Sequence, residues 1–164
     1  MAELDAKLLR TMRTRWHTPV LESGAKALGK SGNNGGIWFV ICGLLALVDH
    51  SHREAWVICA LLAPLAIVLN YGVKVIVRRP RPVLEGLPPL GGAPSSLSFP
   101  SAHATSSFAV ATAMTRVDPA GAIAFALAVA LSLGRPYLGM HYPSDVLAGA
   151  LLGVALGLIV PLSL

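Results

Sequence analysis

An all-α integral membrane protein is the fold this sequence predicts: a helical bundle of about five transmembrane helices with an N-terminal amphipathic interfacial helix. Three observations predict it. Of the 164 residues, 54% are hydrophobic and only 13% charged, with a mean hydropathy of +0.66, far from the balance of a soluble domain. Residues 31–48, 55–73, 119–134 and 146–164 contain no Asp, Glu, Lys or Arg, and the first, second and last of these runs approach the ~20 residues that span a bilayer. The basic residues collect beside those runs rather than within them.

The N-terminal segment, residues 1–30, carries six basic and three acidic side chains. Leu4, Leu8 and Met12 repeat at helical spacing, and Leu21, Ala25 and Leu28 resume the pattern after Pro19. This predicts an amphipathic segment in the membrane interface, with Trp16 at headgroup level. It is not a signal peptide, because charges recur up to Lys30 and leave no apolar h-region.

Residues 31–164 form the predicted transmembrane domain. The turn cluster from Ser31 to Gly36 introduces a first span over Gly36 to Val48. A polar loop, Asp49 to Glu54, follows. His50 and His52 lie in it at a spacing that could ligate metal, but without a further His or Cys nearby, so no metal site is assigned. The second span starts at Ala55 and stays apolar through Tyr71, with Pro64 as a kink. Helices near 100–115 and 119–133 are shorter and Ala-rich, which suits packing inside the bundle, and the turn between them is Arg116-Val117-Asp118-Pro119. The fourth helix is predicted to end at Gly134-Arg135, and the fifth starts at Pro143. Cys42 and Cys59 fall inside apolar runs, where a thiol behaves as a small hydrophobe. The net charge of +5 suits a membrane surface or a phosphorylated ligand better than nucleic acid, since no aromatic-rich soluble domain carries it.

Polar residues gather at the ends of these spans. Lys74 and Arg78 are one helical turn apart and can share a face, and Arg81, beyond Pro80, can turn back over it. Val83 to Ser98 is a Pro/Gly/Ser-rich connection of a length usually reserved for lids or linkers. Pro100 opens the third helix, leaving the backbone N–H groups of Ser101, Ala102 and His103 unpaired and suited to an anion. Arg135 follows the fourth helix, and His141 and Asp145 flank the start of the fifth. If spans two to five alternate direction, all of these emerge on one side of the membrane, whereas snorkelling side chains would scatter. Cations, two histidines, a serine and helix-terminal N–H groups on one face describe a phosphate site with a nucleophile and an acid. Arg78, Arg79 and Tyr137 read instead as interface anchors or packing, and Ser101 could simply cap its helix.

Lys74 with Arg81-Pro82, then Pro100-Ser101-Ala102-His103, then Gly134-Arg135 with His141 and Asp145 resemble the three-part signature of the type 2 phosphatidic acid phosphatase family over about residues 55–160. Ala102 stands where the family has Gly, and Gly134 where it has Ser. The resemblance implies hydrolysis of a lipid phosphomonoester through a phosphohistidine, without metal or other cofactor. It implies His141 as nucleophile, Asp145 as its orienting carboxylate and His103 as general acid and base. Lys74, Arg81, Ser101, Ala102 (through backbone N–H) and Arg135 would hold the phosphoryl oxygens. Vanadate-holding haloperoxidases share such a site but are soluble, and the expected spans argue against them.

The implied partners are lipid phosphates and membrane lipids: phosphatidic acid, phosphatidylglycerol phosphate, or polyprenyl phosphates and diphosphates. The N-terminal basic segment falls on the same side as the site, so the positive-inside rule turns the site to the cytoplasm of a bacterial inner membrane. That favours a biosynthetic step. Removal of the 5-phosphate from a polyprenyl-phosphoryl phosphoribose, on the way to cell-wall arabinan precursors, stands ahead of phosphatidylglycerol phosphate hydrolysis. A non-catalytic membrane anion carrier or scaffold is the alternative of another class.

Overall fold

Seven α-helices make up the fold among the residues described by this computed structural model, 2–92 and 96–162. They are α1 (Ala2–Thr14), α2 (Pro19–Ser31), α3 (Gly36–Val48), α4 (Arg53–Val77), α5 (Ala102–Val117), α6 (Ala124–Tyr137) and α7 (Pro143–Ile159). Residues 93–95 of the predicted 83–98 connection lie outside the described residues.

The bundle is built around α5. Its side chains are short, from Ala104 through Ser106, Ser107 and Ala109 to Ala113, and nearly all are buried. It packs against α4, α6 and, most extensively, α7. Gly149, Gly153 and Gly157 give α7 a stripe with no side chain, so the backbones meet. A Cβ on Gly149 would lie 2.6 Å from the Ser101 carbonyl oxygen, and one on Gly157 2.5 Å from that of Ala109. Small residues where α5 meets α7 leave many of the large ones on the outer faces. Phe39, Leu44, Leu61, Leu65, Val68, Leu147 and Leu151 are more than half exposed, which is the pattern of helices that face lipid.

Two helical stretches are long and apolar enough to cross a membrane, Arg53–Val77 and Pro119–Tyr137, or three if the bent pair α2 and 33–48 is one broken span. The predicted first span is therefore shorter than expected. α3 has 13 residues, about 20 Å at 1.5 Å per residue, against a hydrocarbon core of about 30 Å. Left-handed backbone at Asn34 (φ 54°) and Gly35 (φ 74°) cuts the charge-free run and bends the chain by 54°. α7, at 17 residues, is also short of a full span. The fourth helix, expected to be short, meets the criterion of length and apolarity, because the 3₁₀ turn Pro119–Ile123 leads into α6 and α6 continues past Arg135 to Tyr137.

Residues 1–30 form two helices rather than one. Leu4 and Leu8 are exposed as expected of a lipid-seeking stripe, but the opposite side of α1, with Asp5, Leu9 and Arg13, is buried against the bundle. Arg13 donates to the carbonyls of Pro88 and Leu138 (2.7 and 3.3 Å). Thr18, the N-cap of α2, exchanges hydrogen bonds with the Tyr137 hydroxyl, so Tyr137 packs the N-terminal hairpin onto the end of α6. Pro64 sits within a continuous α4, which stops at Arg78 in the left-handed conformation (φ 54°).

Candidate active site

Three chain reversals bring the polar helix ends together. After α4 the chain returns on itself, held by Ser98 N–H on the Arg79 carbonyl (2.8 Å) and by Lys74, whose ammonium donates to the carbonyls of Leu97, Ser98 and Pro100 (2.9, 3.1 and 2.7 Å). Asn70 adds bonds to Pro100 O (3.3 Å) and Thr105 Oγ1 (2.8 Å). At the start of α7, Ser101 N–H donates to Asp145 O (3.0 Å), which ties the beginning of α5 directly to the carboxylate-bearing turn.

Lys74, Arg81, Ala102, His103, Arg135 and His141 all line one cavity of ≈ 250 Å³, together with Gly32, Asn33 and Asn34 from the turn after α2. Asp145 lies behind His141, fully buried, and does not line it. Ser101 does not line it either. Its Oγ is buried without a hydrogen-bond partner among the described residues and makes no cap for α5, contrary to the capping alternative. The expectation of three free N–H groups at this helix start is corrected to two, since Ser101 N–H is committed to Asp145. The shared face of Lys74 and Arg78 is also corrected. Lys74 is buried, whereas Arg78, displaced by its left-handed backbone, is exposed and bonds back to Val75 O.

His141 is held in one tautomer. Its Nε2 lies 3.2 Å from Arg81 Nη1, and a guanidinium has only donors, so Nε2 is the acceptor and carries no proton. The proton belongs on Nδ1, which faces Asp145 Oδ2 at 3.6 Å and Ser98 Oγ at 3.5 Å. Asp145 Oδ2 is itself fixed by Ser98 Oγ and by Tyr142 N–H (2.8 Å). Burial pushes the His141 pKa down to about 4, opposed by Asp145 and reinforced by Arg81 and Lys74. The imidazole is thus neutral at physiological pH. Arg81 is anchored by Met140 O (2.6 Å) and by Ser96 O and Oγ (2.7 and 2.9 Å).

His103 faces the other wall. Its Nε2 lies 2.9 Å from Gly29 O, so that nitrogen is protonated and donates to the carbonyl. α2 reaches it because Gly29 and Gly32 have no side chains. A Cβ on Gly32 would lie 2.9 Å from His103 Cδ2, and one on Gly29 2.7 Å from Arg135 Nη1. Arg135 is 6% exposed, with Nε unpartnered among the described residues.

Several residues of this network escaped sequence reasoning. Arg79 is not an interface anchor. It donates to Asp145 Oδ1 (2.8 Å), Asp5 Oδ2 (2.8 Å) and Ser144 Oγ (2.7 Å), and stacks over the Tyr142 ring at 4.0 Å. Burial works against its charge, but Asp5 and Asp145 outweigh it and raise its pKa. Burial likewise opposes the Asp5 carboxylate, yet bonds from Arg79 and Ser144 hold its pKa below the ordinary value. Ser96, Ser98 and Gly29 were also missed. The only signal for Arg79 was its position two residues from Arg81, and for Ser98 its position in the run that leads to Pro100.

The structure is thus a helical bundle with a neutral, carboxylate-backed histidine and a second histidine in one cavity lined by cations. Residues 53–164 match the PAP2 superfamily, and the chain belongs to that family, which supports a phosphatase. It is 37% identical over 147 residues to the decaprenylphosphoryl-5-phosphoribose phosphatase of Mycolicibacterium smegmatis, a match covering 88% of this chain and 80% of that one. The crystal structure of Aquifex aeolicus LpxE is similar with a TM-score of 0.78 at 27% identity, over 93% of this chain and 92% of that chain. The transmembrane PAP2 type phosphatidylglycerolphosphate phosphatase from Bacillus subtilis shares the fold, with a TM-score of 0.74 at 23% identity over 96% and 83% of the two chains.

Proposed function

We propose that this protein hydrolyses the phosphomonoester of a lipid headgroup, with the 5-phosphate of a polyprenyl-phosphoryl phosphoribose as substrate, and that it does so from His141 without metal. The observation that carries the chemistry is the Arg81–His141–Asp145 arrangement, which puts the unprotonated Nε2 of a neutral imidazole in a cavity lined by cations, its lone pair held by Arg81 until a phosphoryl oxygen draws the guanidinium away. The relative in Mycolicibacterium smegmatis, named for that substrate and aligned over 88% of the chain, supports the choice of lipid.

In this mechanism Lys74, Arg81, Arg135 and the N–H groups of Ala102 and His103 receive the phosphoryl oxygens, with Ser101 adding its hydroxyl. They spread the charge that develops as His141 Nε2 attacks phosphorus in line. The bond from phosphorus to the ester oxygen breaks, and His103, acting as the imidazolium and released from Gly29 O, protonates the departing alkoxide and is left neutral. Asp145 stabilises the Nδ1 proton on the phosphorylated imidazole. Water then attacks phosphorus, giving its proton to His103 as the N–P bond breaks, and phosphate and neutral His141 are restored. Five crossings with α1 in the interface and the cavity toward the cytoplasm complete the proposal. The exposed Leu4 and Leu8 stripe and the docking of α1 beside the site support an interfacial α1 on the same side as the cavity.

Phosphate release by the purified protein from decaprenylphosphoryl-5-phosphoribose, compared in one preparation with phosphatidylglycerol phosphate, phosphatidic acid and a prenyl diphosphate, tests the reading. Preference for the first supports it. Release from the prenyl diphosphate alone would sink it, and lipid binding without release would favour an anion carrier.

A further inference from the structure

Beside the catalytic cavity lies a second one of ≈ 370 Å³, lined by Lys26, Gly29, Lys30, Asn33 and Arg135 among others. Asn33 and Arg135 line both, so the two cavities adjoin. We propose that this second cavity is an anion subsite for the leaving group, and that it takes the phosphodiester of a headgroup that carries two phosphates. The proposal rests on the assignment of His141 as nucleophile and His103 as acid, and it names what the departing half of the substrate must contain.

Direction comes from in-line geometry. The leaving oxygen must lie opposite His141 Nε2, and His103 must reach it. His141 stands against Arg81 and the loop with Ser96 and Ser98. His103 stands against α2, with its proton on the carbonyl of Gly29, and Gly29 lines the second cavity. A leaving group that accepts this proton therefore continues past Gly29 into the space between α2 and Arg135. Gly29 permits it, since at that position α2 offers backbone rather than a side chain.

Charge gives the chemistry of the occupant. Three of the side chains lining the second cavity are cations, and none is a carboxylate. Lys26 is paired with Glu22, which is not among the lining residues, so its charge is shared. Arg135 is only 6% exposed, with Nε unpartnered among the described residues, and so awaits an acceptor. Burying such a donor without a partner is costly, and a phosphate oxygen would supply one. Lys26 and Lys30 are four residues apart on α2 and can meet one anion from the same face. A leaving group with a second phosphate near the first, such as a phosphoryl ribose, fits this arrangement. The diacylglycerol released from phosphatidic acid has no charge to place there.

The test uses soluble fragments so that binding is read apart from turnover. Wild type and the Lys26→Gln/Lys30→Gln double variant, both in detergent, are titrated with ribose 5-phosphate and ribose 1,5-bisphosphate, and melting temperatures without ligand confirm that both are folded. Wild type is expected to bind the bisphosphate at least tenfold more tightly than the monophosphate, with that ratio falling at least tenfold in the variant. Equal affinity of wild type for the two compounds, or a ratio that stays within twofold in the variant, overturns the subsite. In parallel, phosphate release from phosphatidylglycerol phosphate and phosphatidic acid gives the ratio of kcat/KM for a two-phosphate and a one-phosphate lipid. The same drop in that ratio supports the subsite. Absence of release from any lipid phosphate by wild type, with bisphosphate preference intact, defeats the catalytic assignment and leaves the anion subsite standing.

Discussion

Arg79 holds Asp145 from behind: Nη1 lies 2.8 Å from Oδ1, on the side of the carboxylate away from His141, which faces Oδ2. The carboxylate that backs His141 is thus itself held, by a cation that is in turn held by Asp5 from α1.

We predict that Arg79→Ala lowers kcat by roughly ten- to a hundredfold, the range seen when a partner that fixes a functional side chain is removed. KM should change little, since Arg79 does not line the cavity. Removing one member of a buried ion pair costs about 3–5 kcal/mol, so thermal unfolding in detergent should show a lower Tm as well. Asp5→Ala should act in the same direction but more weakly, because Asp145 keeps Arg79. Steady-state kinetics of the two variants check this order.

The glycine stripe of α7 gives a second prediction. In Gly149→Ala the new Cβ would meet the Ser101 carbonyl at 2.6 Å, and a backbone atom cannot rotate aside. α7 must move off α5, at a cost of about 1–3 kcal/mol for overpacking. The Ser101 N–H to Asp145 O bond lies beside this contact and should lengthen. Both Tm and kcat are expected to fall. Gly43→Ala on α3, where nothing lies within 4 Å of the added Cβ, serves as the control that leaves both near wild type.

The pH dependence follows from His141. Its pKa of about 4, against 6.5 for an ordinary imidazole, means that in the proposed mechanism protonation disables it only in strong acid. The acidic limb of kcat/KM, which reports the free enzyme, should fall near pH 4 rather than near 6.5. Stability has the matching sign. Between pH 6.5 and 4 the unfolded chain binds a proton at this histidine that the folded protein does not, so stability declines as pH falls through that window and is unaffected above it. Asp5, whose pKa is lowered on folding, adds a loss at still lower pH. A profile of kcat/KM against pH, together with Tm over the same range, measures both.

Chelation gives a fourth prediction. In the proposed mechanism the phosphoryl charge is met by Lys74, Arg81 and Arg135, so EDTA should leave the rate within twofold. A loss of more than tenfold that Mg²⁺ or Zn²⁺ restores would contradict it.

Local chemistry was legible in the sequence and long-range pairing was not. Proline at the start of α7 and Asp118-Pro119 after α5 mark helix boundaries through fixed φ and capping, and the structure has both where expected. The grouping of Lys74, Arg81, His103, Arg135 and His141 followed from alternation of helix direction, a topological property that spacing exposes. Arg79 escaped because its partners, Asp5 and Asp145, lie 74 and 66 positions away, and nothing local separates it from an interface anchor. α1 misled for a related reason. An apolar stripe at Leu4 and Leu8 signals lipid or protein equally, while its docked side, Asp5, Leu9 and Arg13, is mostly polar and reads as solvated. The 54° bend at Asn34 and Gly35 was hidden because a charge-free run carries no mark of a left-handed turn beyond its Asn and Gly content.

The central claim is that His141 carries the phosphoryl group. Rapid acid-free quench of the purified protein with lipid substrate labelled in its phosphomonoester tests it most directly, through acid-labile, base-stable label on the protein. We expect label on wild type that maps to His141 and is absent from His141→Ala. Turnover by His141→Ala at the wild-type rate, or label on another residue, would contradict the mechanism.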